Sequence, residues 1–172
     1  MFNKNINFQG FKFKKKFFNY KKDLNSILNE KNQVISSLSK SYKDSFSKKN
    51  TKHFNKKFDY RIIGMGGSTL GAQAIYDFLK KKIKKNFIFV DNLNSFENKK
   101  TKKNLNNLII SKSGNTTETI VNANILIKKK DKNLFITEKK KSYLSLLAQK
   151  LKAEVVDHNN YIGGRYSVLS EV

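Results

Sequence analysis

The fold turns on one stretch, Arg61-Ile62-Ile63-Gly64-Met65-Gly66-Gly67-Ser68-Thr69-Leu70-Gly71. A short apolar run gives way to a glycine-rich turn. Leu70, Ala74, Ile75, Phe78 and Leu79 then recur at helical spacing, so the segment reads as strand, turn and a helix over about 69–83. The pattern returns downstream, where Leu108–Ile110 runs into Ser111-Lys112-Ser113-Gly114-Asn115-Thr116-Thr117-Glu118-Thr119 and a helix over about 116–129. Apolar runs at Phe87–Val90, Leu134–Thr137 and Glu154–Val156, with a helical pattern over 142–151, complete the series. Near-continuous apolar strands separated by helices belong to a parallel sheet covered on both faces. The expected fold class is therefore α/β, a doubly wound parallel sheet over about 58–158.

Before this region, Leu24, Ile27, Leu28, Val34, Ile35 and Leu38 recur at helical spacing between Tyr20 and Phe46, which predicts one amphipathic helix or two. Residues 47–57 read as a polar connector in which His53 is a surface residue, and 94–106 as a short helix or loop. The first twenty residues mix six Phe with five Lys and lack the apolar core and cleavage site of a secretory signal. They read as an arm packing on the domain or on a partner subunit, with a strip for single-stranded nucleic acid as the sharper alternative. The expected division is an amino-terminal arm and helical segment over 1–57 and an α/β domain over 58–172.

The chain has 172 residues, no Cys and no Pro, and 36 Lys+Arg against 13 Asp+Glu give a formal charge of +23. The absence of Cys excludes disulfide frameworks, thiolate zinc sites and cysteine nucleophiles, and fits a cytoplasmic location. An apolar content of 38% supplies enough material for a core. The charge points first to polyanions. Its make-up points away from them, because only Arg61 and Arg165 are arginines and the other 34 cations are lysines. Together with 22 Asn, this is the composition that an AT-rich coding sequence produces. Nucleic-acid readers favour Arg for bidentate contacts, so the lysine runs at 80–85, 99–103, 128–132 and 139–141 read as solvated helix ends and turns. No stretch is apolar enough for a membrane span. Neither nucleic acid nor membrane is the expected partner.

Glycine carries the signal because it is scarce: seven of the eight are Gly64, Gly66, Gly67, Gly71, Gly114, Gly163 and Gly164. The first cluster lacks the Gly-Lys-Ser/Thr of a nucleotide phosphate loop, and Thr69 stands where a dinucleotide fingerprint needs Gly or Ala. It is either a tight turn or a nest of amides for an anion. The second cluster offers five hydroxyls at a helix start, where one would suffice as a cap. Phosphate oxygens are the favoured partner, and an elaborate N-cap using Thr116 or Thr117 is the alternative. The third cluster, Tyr161-Ile162-Gly163-Gly164-Arg165-Tyr166-Ser167-Val168-Leu169-Ser170, holds one of the two arginines. That arginine is read as a fixed charge for a ligand, or else as an ion pair with Glu171 or Asp157. All three clusters follow strands, so a parallel sheet gathers them at one edge, where open α/β folds bind ligands.

Taken together, GMGGSTLG, SKSGNTTET and IGGRYSVLS resemble, in order and spacing, the sugar-binding loop, phosphate loop and signature segment of the glucose-6-phosphate isomerase family over about 58–172. The resemblance implies a five-stranded, flavodoxin-type sugar isomerase domain. It implies reversible interconversion of glucose 6-phosphate and fructose 6-phosphate through a cis-enediol, with no metal or organic cofactor. Ser111, Ser113 and Thr116, with the Lys112 backbone, would hold the phosphate, and Gly67 and Ser68 the sugar hydroxyls. Gly164 and Arg165 would stand at the reacting carbons, Arg165 stabilising the enediolate. The family's base glutamate and its ring-opening histidine and lysine lie downstream of the Gly-Gly-Arg segment. The chain is accordingly expected to be the amino-terminal part of an isomerase, inactive alone and homodimeric when full length. His158, which precedes Gly163, reads as structural or surface. Ser113-Gly114-Asn115, where many isomerases carry Thr-Phe-Thr, also occurs in bifunctional phosphoglucose/phosphomannose isomerases and in non-catalytic sugar-phosphate modules, which are the alternative readings.

Overall fold

A computed structural model describes residues 20–30, 32–46, 59–93 and 105–171. The Phe/Lys arm up to residue 19, the 47–57 connector with His53, and residues 94–104 lie outside the described residues. The chain divides into two compact units, Met1–Lys31 and Asn32–Val172. The described part of the first unit is helix α1, Tyr20–Leu28, with Leu24, Ile27 and Leu28 on one face.

The second unit opens with a four-residue helix α2, Gln33–Ser36, capped by the Asn32 side chain through the Val34 amide at 2.8 Å. The helical pattern expected over 20–46 thus resolves into two short helices. Ser36 and Ser37 hydroxyls bond back to the carbonyls of Asn32, Gln33 and Val34. Such local bonds compete with helix continuation.

Five strands follow: β1 Asp59–Ile63, β2 Phe87–Val90, β3 Leu105–Ile110, β4 Lys132–Thr137 and β5 Glu154–Asp157. They alternate with helices α3 Leu70–Leu79, α4 Thr117–Leu126 and α5 Tyr143–Leu151. All strand pairs are parallel, in the order β2-β1-β3-β4-β5. Period-two alternation splits the apolar runs between two faces. Ile63, Ile109 and Phe135 meet Ala123 of α4 and Leu144 and Ala148 of α5 on one face. Ile62, Ile110, Leu134, Ile136 and Val156 meet Ala72 of α3 and Phe46 on the other. Apolar residues on both faces are what a sheet sandwiched by helices requires.

β3 begins at Leu105, earlier than its apolar run, so the end of the stretch read as helix or loop is strand. Asn106 and Asn107 are buried there, and the Asn107 amide donates to Asn133 Oδ1 at 2.8 Å on the neighbouring strand. At this same end, Arg61 is buried and its Nη1 donates to the Leu126 carbonyl, the last residue of α4, at 2.9 Å. Burial lowers the Arg61 pKa and the charge of Asp131 opposes that shift.

The chain leaves β1 toward β2 on one side and resumes at β3 on the other, so the sheet has a topological switch point between β1 and β3. Loops there diverge to opposite faces and open a crevice at the carboxyl ends of the strands. The first two glycine clusters flank it.

Candidate functional site

The first loop packs by close approach. A methyl group on Gly64 would meet the Ile110 carbonyl at 2.9 Å, tying the end of β1 to the end of β3. One on Gly67 would lie 2.3 Å from the Gly164 carbonyl group and 2.9 Å from the Arg165 nitrogen, and one on Gly71 would collide with Val168 at 2.1 Å. The first and third clusters therefore touch backbone to backbone, and the contact demands glycine at Gly67. Gly66, by contrast, sits at φ +55° with open space around it. Ser68 and Thr69 amides close a short 3-10 turn onto Met65 and Gly66 carbonyls. Among the described residues, the Gly66 and Gly67 amides have no protein acceptor.

The second loop is built on hydroxyls. Ser111 is buried, with its amide on the Ile136 carbonyl and its Oγ 2.9 Å from Thr116 Oγ1. Ser113 Oγ lies 3.5 Å from the same Thr116 oxygen and accepts from the Asn115 amide. Gly114 takes φ +67°, and a methyl there would overlap Ser142 Oγ at 2.1 Å. Lys112 Nζ reaches the Asn160 carbonyl at 2.5 Å and Glu138 at 3.5 Å, which links this loop to the segment after β5. Burial raises the Glu138 pKa, but the bonds and charges of Lys140 and Lys112 win and hold it below the usual value. The Lys112 carbonyl is occupied by the Glu138 amide and the Thr137 hydroxyl.

Two helix starts lie side by side and are treated differently. At α5, Asn115 Oδ1 accepts from the Tyr143 amide, the Gly114 carbonyl from Leu144, and Ser142 Oγ from Ser145 in a reciprocal capping box. At α4, Thr116 occupies the N-cap position and makes no side-chain capping bond. Its hydroxyl turns to Ser111 and Ser113 instead. The elaborate-cap alternative for this stretch does not hold. What remains is an open helix N-terminus, carrying partial positive charge, beside three clustered hydroxyls. Such a site accepts an anion's oxygens.

The third loop forms a 3-10 turn, Gly164–Leu169, after Gly163. Arg165 is exposed and, among the described residues, forms no ion pair. The pair proposed for it with Glu171 or Asp157 is not formed, because Glu171 belongs to His158. Arg165, Tyr166 and Val168 line an open groove of about 420 Å³ together with Val34, Ile35 and Leu38. His158 is buried, so the surface reading of it does not hold. Sequence reasoning did not foresee its network with Glu171, Tyr42 and Asn159, nor the capping roles of Asn115 and Ser142; only the Ser-x-x-Ser spacing at 142–145 carried a signal. Among the described residues no three His, Cys, Asp or Glu gather as metal ligands, and no helix is long and apolar enough to cross a membrane.

The phosphoglucose isomerase family model matches residues 20–172. The chain belongs to the phosphoglucose isomerase family. Among relatives, the glucose-6-phosphate isomerase of Borrelia garinii subsp. bavariensis is 34% identical over 128 residues, covering 64% of this chain and 24% of that protein. That of Acholeplasma laidlawii is 39% identical over 132 residues, covering 64% and 31%. That of Methanocaldococcus jannaschii is 37% identical over 123 residues, covering 64% and 30%. This phosphoglucose isomerase family chain thus spans between 24% and 31% of these relatives' lengths. Two solved structures share the fold. A hypothetical protein from Thermus thermophilus aligns with TM-score 0.54 and 23% identity over 66% of this chain and 31% of its own. The tagatose-6-phosphate ketose/aldose isomerase of Escherichia coli aligns with TM-score 0.51 and 18% identity over 69% and 36%.

Proposed function

We propose that this chain supplies the phosphate-binding and enediolate-stabilising part of an enzyme interconverting glucose 6-phosphate and fructose 6-phosphate. The observation that carries the reading is the uncapped α4 N-terminus beside Ser111, Ser113 and Thr116, on the same sheet edge as Arg165. The three hydroxyls, the Lys112 amide and the first-turn amides of α4 bind the phosphate without a cation. Gly67 and Ser68 meet the sugar hydroxyls through the amides and hydroxyl of the first loop. Gly164 and Arg165 face the carbons between which the proton moves, and the guanidinium stabilises the charge that develops on the enediolate oxygen. The proton itself needs a base within hydrogen-bond reach of carbon. Glu171, six residues past Arg165, is committed to His158, and the resemblance assigns the base to a glutamate downstream of the Gly-Gly-Arg segment. The family reading extends to a homodimer and a cytoplasmic location.

Calorimetry tests this with inorganic phosphate, fructose 6-phosphate and 6-phosphogluconate, whose carboxylate imitates the enediolate. Ser111→Ala combined with Thr116→Val is expected to weaken all three by about ten- to hundredfold, the worth of one or two bonds to a charged group. Equal phosphate affinity in the variant and the parent chain sinks the phosphate assignment.

A further inference from the structure

The Gly-Gly-Arg turn is shaped by bonds within itself. The Tyr166 amide donates to the Gly163 carbonyl at 2.8 Å, Ser167 Oγ to the Gly164 carbonyl at 2.7 Å, and the Ser170 amide and hydroxyl to the Ser167 carbonyl. These fix the turn's form and leave its placement on the sheet edge to other contacts. One is the backbone contact with Gly67. A second is Val168 packed against Gly71, and a third is a single imidazole that grips both flanks. His158, whose amide continues β5 by donating to the Thr137 carbonyl, places Nε2 3.1 Å from the Ile162 carbonyl, just before the glycines. Its Nδ1 lies 3.1 Å from Glu171 Oε2, just past the turn.

A carbonyl oxygen and an ionised carboxylate both only accept, so Nε2 donates to Ile162 and Nδ1 donates to Glu171. Both side chains are out of solvent, at 1% and 0% exposure. The other carboxylate oxygen accepts from Tyr42 Oη at 2.8 Å, Asn159 Nδ2 at 3.1 Å and the Ser45 amide at 3.4 Å. Burial works against the Glu171 anion, but its own amide, Tyr42, His158 and Ser45 outweigh that and hold its pKa below the usual value. Burial first, and the bond to Glu171 second, push the Tyr42 phenol up to about 12, so it remains a donor at neutral pH. Among the described residues, no side-chain bond of this cluster reaches the phosphate loop, which is tied to this region by Lys112 on the Asn160 carbonyl and, through Thr137, to the His158 backbone.

We propose that His158 and Glu171 are positioning residues for Arg165: the buried pair closes the two flanks of the Gly-Gly-Arg turn and so sets where the guanidinium stands over the crevice. This rests on the function proposed above for Arg165. It also explains why a buried histidine and glutamate bracket that turn while taking no part in its internal bonds.

The experiment compares affinities of the full chain for inorganic phosphate, which engages the phosphate loop alone, and for 6-phosphogluconate, which also reaches Arg165. Arg165→Ala is expected to weaken 6-phosphogluconate about ten- to hundredfold and to leave phosphate unchanged. His158→Phe, which fills the volume but makes neither bond, is expected to reproduce that loss with phosphate unchanged. The double variant is expected to lose no more than Arg165→Ala alone, as residues acting through one another do. Glu171→Gln keeps an acceptor and the packing, and is expected to show an intermediate, roughly threefold loss; it keeps the test decisive if His158→Phe does not fold. Full 6-phosphogluconate affinity in folded His158→Phe and Glu171→Gln, or losses that add to that of Arg165→Ala, overturns the positioning role and leaves the Arg165 assignment standing. No effect of Arg165→Ala itself overturns both.

Discussion

Replacing Gly67 by alanine is the sharpest perturbation the structure offers. The new methyl would sit 2.3 Å from the Gly164 carbonyl group, where ordinary contact begins near 3.4 Å, so the two loops must part by about 1 Å. Neither side has a flexible side chain to move, since both surfaces are backbone. Overpacking of this kind costs about 1–3 kcal/mol of stability. A misplacement of about 1 Å at a site costs on the order of a hundredfold in function, and here the displaced group carries Arg165. The control is Gly66→Ala, one residue earlier. Gly66 has φ +55° and nothing nearby, so its alanine carries only backbone strain of about 1–2 kcal/mol and moves nothing. Urea unfolding and calorimetry with 6-phosphogluconate, run on both variants, separate the two effects. Gly67→Ala should lose 6-phosphogluconate affinity far beyond Gly66→Ala while keeping its affinity for inorganic phosphate. Equal affinities in the two variants would refute the claim that this backbone contact places the Gly-Gly-Arg turn.

Three further outcomes are expected. Gly114→Ala meets both a left-handed φ and Ser142 Oγ at 2.1 Å, so it should weaken inorganic phosphate binding as well as stability, read by calorimetry and urea unfolding. Arg61→Ala strips the Leu126 carbonyl of its donor and leaves a void, which should cost about 2–4 kcal/mol in urea unfolding. Glu171 has its pKa lowered by folding, so its contribution to stability is present above the unfolded carboxylate pKa and lost as pH falls through the folded one. Melting temperatures measured across the acid range should therefore fall less steeply for Glu171→Gln than for the parent chain.

How far the fold was legible depended on which residues formed it. Ile62, Ile63, Ile109, Ile110 and the 134–136 run announce themselves as strands because burial on both faces demands unbroken apolar residues. The start of β3 was hidden because Asn106 and Asn107 are poor strand formers alone, and the acceptors that satisfy the Asn107 amide, Asn133 and Asp131, lie more than twenty residues away in sequence. The scarce glycines marked the three loops of the candidate site, but not which of them mattered for packing. Gly163 and Gly164 have room for a methyl, whereas Gly67 and Gly71 do not, and that distinction lives in contacts about a hundred residues apart in sequence. His158 and Glu171 were visible as residues and invisible as a pair. Their union depends on the turn doubling back, which no periodicity encodes.

The two arginines of this lysine-rich chain stand at opposite ends of the sheet, and helix α4 connects their meaning. Arg61 grips the last carbonyl of α4, the negative pole of that helix, while the positive pole is the open N-terminus. Ten residues, about 15 Å of helix, separate a pole neutralised by an internal cation from one that its N-cap side chain leaves uncapped. A lysine at Arg61 would bring a compact, strongly hydrated charge into a buried position that a flat guanidinium tolerates better. On the solvated surface lysine supplies the charge, whereas this buried position also uses the flat form of the guanidinium. At Arg61, charge alone is not a sufficient substitute for shape.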